Sequence, residues 1–330
     1  MSDRGQALAT CGRPLHEAYD VGLFDLDGVV YVGADPVVHA VDALNVARTS
    51  GQRAAYVTNN ASRSAEDVAE QLTSLGLTVS ASDVVTSAQA AVRLLIDLIE
   101  PGAQVLVVGA ASLQDEVARA GFSPVRSALD GVRAVVQGHD PRTDWELLAE
   151  AAVALRRGAV WVAANEDSTL PSPRGPLPGN GAMVAALATA SGLTPVVAGK
   201  PQRPLYETAV RATAAQRPLF VGDRLDTDIG GAVGAGLDSL LVLTGVASLD
   251  DALRAPVGSR PSYLSADLRA LAETHSEVQV EGKSSRCGTA RAQWVDGWVE
   301  SSGHSTEALR AACALAWWHA DRGAQVRGAR

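Results

Sequence analysis

Asp25 and Asp27 stand two positions apart at the end of the apolar run Val21-Gly22-Leu23-Phe24, with Gly28 directly after them. Such a run reads as a buried strand emptying into a loop, and side chains repeat every two residues along a strand, so both carboxylates can project from one side. Close like charges are costly unless something positive joins them. A divalent cation, a basic residue and a bound phosphate would complete a site in which one Asp attacks and the other moves protons. Open α/β sheets bind their ligands at this end of a strand.

Three further apolar runs end in polar clusters. Lys200 closes Val196-Val197-Ala198-Gly199, and only it and Lys283 are lysines among 28 basic side chains. A compact ammonium there could meet a phosphate or carboxylate without a planar fork. Arg53-Ala54-Ala55-Tyr56-Val57 leads into Thr58, Asn59 and Asn60, which supply a hydroxyl, amides and backbone N–H groups for an anion. Pro218-Leu219-Phe220-Val221 leads through Gly222 into Asp223, Asp226 and Asp228, opening a small-residue helix that runs through Gly230 to Gly236. Oxygen ligands in that number suit a hard cation such as Mg²⁺. Asp223, directly after the strand, is the candidate ligand, whereas Asp226 reads as a capping or solvated residue.

The elements that must carry these clusters alternate strand and helix. Val21 to Val30 reads as the first core segment, then a helix near Val37 to Ser50, a strand at Ala54 to Val57, and a helix near Ala65 to Leu75 stopped at Gly76. Apolar runs Val105 to Val108, Ala134 to Val136 and Val160 to Ala164 alternate with helical stretches such as Trp145 to Leu155. Leu240 to Leu243 reads as a late strand. The tail changes character: four of six tryptophans fall after Glu273, in a chain only 4% aromatic, so this stretch is folded. Ser305 reads as an N-cap, with Leu309, Ala312, Cys313, Ala316 and Trp317 at helical spacing.

Composition narrows the classes. At 330 residues, 47% hydrophobic and 20% charged, the chain can bury two or three domain cores. A net charge of −9 and a pI near 5.2 argue against nucleic acid as a partner. Met1 to Asp20 holds no apolar stretch of signal-peptide length, and no membrane-spanning run occurs. A cytoplasmic protein without membrane insertion is expected. Cys11, Cys287 and Cys313 are odd in number and far apart, so they read as reduced.

The strings DLDGVV, VTNN, GKP and GDRLDTD, in this order and each behind an apolar run, resemble the haloacid dehalogenase superfamily of phosphotransferases. The long insertion between Thr58 and Lys200, with Asn165-Glu166-Asp167 and Pro178-Gly179-Asn180-Gly181, is similar to the NagD-like branch. The resemblance covers about residues 20 to 270. It implies an α/β fold: a three-layer Rossmann-like core with a parallel sheet (1–89 and 193–272) and a large α/β cap (90–192); the Trp-bearing tail beyond it reads as a small appended C-terminal αβ module (273–330).

The family's chemistry, carried over by position, makes Asp25 the nucleophile that forms an aspartyl-phosphate. Asp27 becomes the general acid and base. Lys200 would steady Asp25 and the phosphoryl group, and Thr58 with backbone N–H groups near Asp27, Gly28, Asn59 and Asn60 would bind phosphate oxygens. Asp25, the Asp27 carbonyl and Asp223 would hold Mg²⁺, supported from outside by Asp228. Halide-displacing relatives resemble this chain at Asp25 but not at Asp27, so phosphate-ester hydrolysis fits better.

Substrate contacts are expected on the cap, at His139, Asp140 and Arg142 after a strand and at Arg174 in the Pro-rich stretch Pro171 to Pro178. Asn165 and Asp167 read as organisers. The chain is similar to actinobacterial glycerol 3-phosphate phosphatases of that branch, which implies a small phosphorylated metabolite and glycerophospholipid metabolism. Phosphoglycolate, pyridoxal phosphate and nucleotides are the alternatives, and a non-catalytic phosphometabolite-binding protein is the alternative of another class. A homodimer is left open. Gly179-Asn180-Gly181 follows prolines rather than a strand, so it reads as a tight helix start, not a dinucleotide loop. No GxxxxGK[ST], GxSxG or HExxH occurs.

Overall fold

The computed structural model describes residues 7–170, 172 and 174–330. Pro171 and Pro173, and the first six residues of the Met1 to Asp20 segment, lie outside the described residues. The chain divides into two compact units, one of Met1–Tyr56, Leu72–Val79 and Thr213–Arg330, the other of Val57–Gln71 and Ser80–Ala212.

In the first unit, strand Val21–Phe24 lies between Arg53–Thr58 and Pro218–Gly222, with Phe24 opposite both Tyr56 and Val221. Asp238–Val242 and Tyr263–Ser265 continue the sheet beyond Pro218–Gly222, every neighbour parallel. All four residues of Val21–Phe24 are buried, which is why this strand reads as an uninterrupted apolar run rather than an alternating one. Helix Ala40–Thr49 turns Ala40, Leu44 and Ala47 inward at helical spacing.

The first strand is shorter than its apolar run. The Asp25 N–H still donates to the Val221 carbonyl at 2.9 Å, but the Leu26 carbonyl then accepts from Val29, Val30 and Tyr31, and the chain turns. Two-residue alternation therefore stops at Phe24. Asp25 is buried and Asp27 exposed, and neither is a strand residue, whereas their spacing predicts a strand that runs on through both. Leu26, Val29 and Val30 are fully buried without being strand residues.

The second unit carries a five-stranded parallel sheet in the order Val196–Val197, Val160–Ala163, Val132–Gln137, Gln104–Val108, Ser123–Val125. Helix Trp145–Arg156 is capped by Asp144, whose side chain accepts the Leu147 N–H at 2.9 Å. It packs Leu147, Ala151 and Leu155 against Leu106, Val135 and Trp161. Helix Asn180–Ser191 starts after Gly179, where an added Cβ would stand 2.2 Å from the Asp167 carbonyl oxygen. The Gly-Asn-Gly stretch is thus a close-packed helix start.

Residues 278–301 form four antiparallel strands, to which Gly328–Ala329 adds a parallel fifth. Ala290, Ala292 and Trp294 alternate inward along one of them. Helix Thr306–Ala320 is capped by Ser305, as its sequence predicts. Its Leu309, Cys313, Leu315 and Trp317 share one apolar cluster with Ile229, Leu241 and Leu264 of the parallel-sheet region. The Trp317 indole N–H donates to the Ala252 carbonyl at 2.9 Å, and Arg260 grips Asp321 with two bonds of 2.7 and 2.8 Å. The aromatic tail is therefore built into the first unit's core.

Candidate active site

Two strand-end segments of the first unit, one after Val21–Phe24 and one after Pro218–Gly222, bring acidic groups together. Asp25, Asp223 and Asp228 each offer a carboxylate oxygen within 4.8 Å of the others, and all three are buried, at 8%, 1% and 0% exposure. Among the described residues no other acidic, His or Cys group of three or more gathers closely enough to share an ion.

Backbone donors orient Asp223 and Asp228. The Asp228 Oδ2 accepts the N–H groups of Asp223 at 3.2 Å and Arg224 at 3.1 Å, closing the π-helical turn Leu225–Ile229. The Asp223 Oδ2 accepts the Val246 N–H at 2.7 Å. Asp226 lies outside this group, largely exposed and forked by Arg224, whose hydrogen bonds hold its carboxyl below the usual range.

Glycines make room for the carboxylates. A Cβ on Gly222 would stand 2.2 Å from the Asp228 Cβ, and one on Gly28 or Gly245 would stand 2.4 or 2.0 Å from the Asp223 Oδ2. Gly28 also has φ +81, a conformation that favours glycine. Three buried carboxylates in a cradle that side chains would fill are the donor set of a hard divalent cation, because such charges must be compensated inside a protein. The residues fit Mg²⁺.

Gly28 and Asp27 occupy the turn after Asp25. The Gly28 N–H, expected on phosphate oxygens, is donated to the Tyr31 carbonyl at 2.8 Å. The Gly28 carbonyl in turn accepts the Thr244 hydroxyl at 2.6 Å. Thr244, Gly245 and Val246 escaped the sequence reading. They carry no charge, but a Thr-Gly pair directly after an apolar run repeats the punctuation of the other clusters.

In the second unit, Asn59 is a hub. Its Oδ1 accepts the Lys200 N–H at 2.7 Å, while its Nδ2 donates to the Lys200 carbonyl at 3.2 Å and to both Asp167 oxygens at 3.3 and 3.2 Å. The Asn59 carbonyl accepts from Asn165 Nδ2 and Ser87 Oγ, both at 2.6 Å. The Asn180 Nδ2 reaches the Asn165 carbonyl at 2.7 Å. Gly199 joins the same packing, since its Cβ would lie 2.6 Å from the Ala164 carbonyl. Asn165 and Asp167 are thus organisers of the Asn59 and Lys200 loops. Thr58 and Lys200 are buried.

The remaining candidates are placed as follows. Thr58 Oγ1 accepts the Asn60 N–H at 3.1 Å, and the Asn60 side chain accepts from Ser62 twice at 2.8 Å. His139 is half-buried. Arg142 is exposed and forked onto Asp140, with both bonds at 3.2 Å. Burial works against the Asp140 charge, but these bonds hold its carboxyl below the ordinary range. Arg174 is exposed, its N–H on Ser172 Oγ at 3.1 Å.

Comparison with known proteins agrees with this geometry. A family profile described as haloacid dehalogenase-like hydrolase matches residues 22–123, and a HAD-hydrolase-like profile matches 197–271. The chain is 53% identical over 259 residues to a D-glycerol 3-phosphate phosphatase of Mycobacterium tuberculosis, covering 78% of this chain and 72% of that protein. An acid sugar phosphatase of Staphylococcus aureus is 34% identical over 258 residues, 77% of this chain and 98% of its own. Among solved structures, a glycerol phosphate phosphatase from Mycobacterium tuberculosis in complex with magnesium superposes with a TM-score of 0.81 at 46% identity, covering 93% of this chain and 92% of that one. A p-nitrophenyl phosphatase from Archaeoglobus fulgidus gives 0.71 at 28% identity, covering 77% and 98%.

Proposed function

Because the chain belongs to the haloacid dehalogenase-like hydrolases, we propose that it is a Mg²⁺-dependent phosphatase that hydrolyses glycerol 3-phosphate to glycerol and phosphate. The observation that carries the reading is the buried Asp25, Asp223 and Asp228 group in its glycine cradle, in a chain this similar to a D-glycerol 3-phosphate phosphatase.

In this reading an Asp25 oxygen bonds to phosphorus as the ester P–O bond breaks, and Asp27 gives its proton to the departing glycerol oxygen. Asp27 then takes a proton from water as that water attacks the aspartyl-phosphate, which releases phosphate and restores Asp25. Exposure of Asp27 suits a group that exchanges its proton with water. Asp25, Asp223 and the Asp27 carbonyl would hold Mg²⁺, with Asp228 as their support. When bound, that ion supplies the positive charge that lets an anionic nucleophile approach an anionic ester. Thr58 and Lys200 are proposed to bind the phosphoryl oxygens. His139 and Arg174 are assigned to the glycerol hydroxyls in preference to Arg142, whose fork already holds Asp140. A cytoplasmic location goes with three free thiols.

The test is phosphate release from glycerol 3-phosphate, phosphoglycolate, pyridoxal phosphate and a nucleoside monophosphate, with and without Mg²⁺. Preference for glycerol 3-phosphate that Asp25→Asn abolishes is the expected result. Asp27→Asn should lose turnover while Mg²⁺ binding survives. Preference for another ester moves the substrate assignment, and no release from any makes a phosphometabolite-binding protein the better reading.

A further inference from the structure

We propose that Thr244 is a positioning residue of the hydrolysis, holding the turn that carries Asp27 in register with the carboxylate of Asp223. The inference rests on the phosphatase reading above. Strand Asp238–Val242 ends two residues before Thr244, and Thr244, Gly245 and Val246 touch the site in succession. The Thr244 hydroxyl donates to the Gly28 carbonyl at 2.6 Å. Gly245 lies so close to Gly28 that a Cβ on it would stand 2.8 Å from the Gly28 Cα. The Val246 N–H donates to the Asp223 Oδ2 at 2.7 Å. One tripeptide therefore spans both loops.

Bonds within the turn, from Gly28 to Tyr31 and from Val29, Val30 and Tyr31 to Leu26, set its shape. They say nothing of where that shape sits against Asp223. The Thr244 hydroxyl supplies that reference, because it is attached to the segment that also holds the Asp223 oxygen. Gly28 directly follows Asp27, so a tilt of the Gly28 carbonyl carries the Asp27 main chain with it. Proton transfer requires Asp27 within hydrogen-bond reach of the ester oxygen, and a misplacement of about 1 Å costs on the order of 100-fold in rate. At position 244 a valine keeps the shape and loses the hydroxyl, while a serine keeps the hydroxyl. Shape and bond can be separated.

The experiment compares wild type, Thr244→Val, Thr244→Ala and Thr244→Ser by phosphate release, by calorimetric Mg²⁺ binding without substrate, and by amide hydrogen exchange over residues 26–31. Thr244→Val and Thr244→Ala should lower kcat by about 10- to 100-fold, with KM within about two-fold, and should speed exchange in residues 26–31. Thr244→Ser should restore kcat to within about three-fold of wild type, a rescue that a merely space-filling role would not give. The alanine variant removes the bond without setting a new methyl against Gly28, so it stands if the valine variant does not fold. Wild-type turnover in both hydroxyl-free variants, or a serine variant as impaired as the valine one, overturns the inference while the phosphatase reading survives. A wild type that releases no phosphate with Mg²⁺ defeats that reading and this inference with it.

Discussion

Gly245→Ala tests the cradle where solvent exposure alone gives the wrong expectation. Gly245 is exposed, and exposed substitutions usually change stability by no more than about 0.5 kcal/mol. Its φ is not in the left-handed region, so alanine meets no backbone penalty. The added methyl, however, would stand 2.0 Å from the Asp223 Oδ2 and 2.6 Å from its Cγ, where contact distances begin near about 3.5 Å. One partner must retreat by roughly 1.5 Å. The carboxylate cannot do so and keep its bond to the Val246 N–H, and the Gly28 backbone blocks the other direction at 2.8 Å. We therefore expect Mg²⁺ affinity to fall about 10- to 100-fold and kcat about 100-fold, with overpacking costing about 1–3 kcal/mol of stability. Calorimetric titration with Mg²⁺ and phosphate release at saturating ester read the two effects. Gly234→Ala is the control, because nothing lies within 4 Å of its Cβ. Unchanged Mg²⁺ affinity in Gly245→Ala would refute the cradle.

Acid sensitivity centres on His275, whose imidazole is pushed down from 6.5 to about 4, first by burial and also by the nearby Arg310 charge. The unfolded chain binds the extra proton more readily, so this stabilisation is whole above 6.5 and drains away as pH falls through about 4. At about 1.4 kcal/mol per pH unit the full effect is about 3 kcal/mol, and urea unfolding of wild type should lose that much more than His275→Gln between neutrality and about pH 4. Parallel losses would dismiss it. In the second unit, Asn59→Ala removes donors to Asp167 and Lys200 and an acceptor for the Lys200 N–H, and should cost about 2–4 kcal/mol by denaturant unfolding. A cost below about 0.5 kcal/mol would deny Asn59 its place as hub.

Much of this was readable because parallel strands are covered on both faces and therefore appear as apolar runs. Gln104–Val108 and Pro218–Gly222 lie close to where those runs put them. Each polar cluster follows a run because a parallel strand delivers its loop at one end of the sheet. The same signal misled at Phe24: Leu26, Val29 and Val30 are as buried as strand residues, and hydrophobicity does not distinguish a buried turn from a buried strand. The sequence shows Asn59 as an amide but not its partners Asp167 and Lys200, which lie 108 and 141 positions away. Nothing in Asp-Pro-Arg announces that the Arg142 guanidinium folds back on Asp140. Tryptophan content showed that the tail folds, but not that it shares a core with Leu241 and Leu264.

The three cysteines turn that shared core into a clock. Cys313 is wholly enclosed by the tail helix and its neighbours, Cys287 is likewise buried, and burial pushes both thiols up, away from the reactive thiolate. Cys11 is partly accessible. A thiol reagent added to the native protein should therefore label once quickly and twice more only as fast as the tail opens. Because the tail shares its apolar cluster with Ile229, next to Asp228, the slow labelling rate times the loosening of the loop that carries the acidic group, with no probe attached to the site itself.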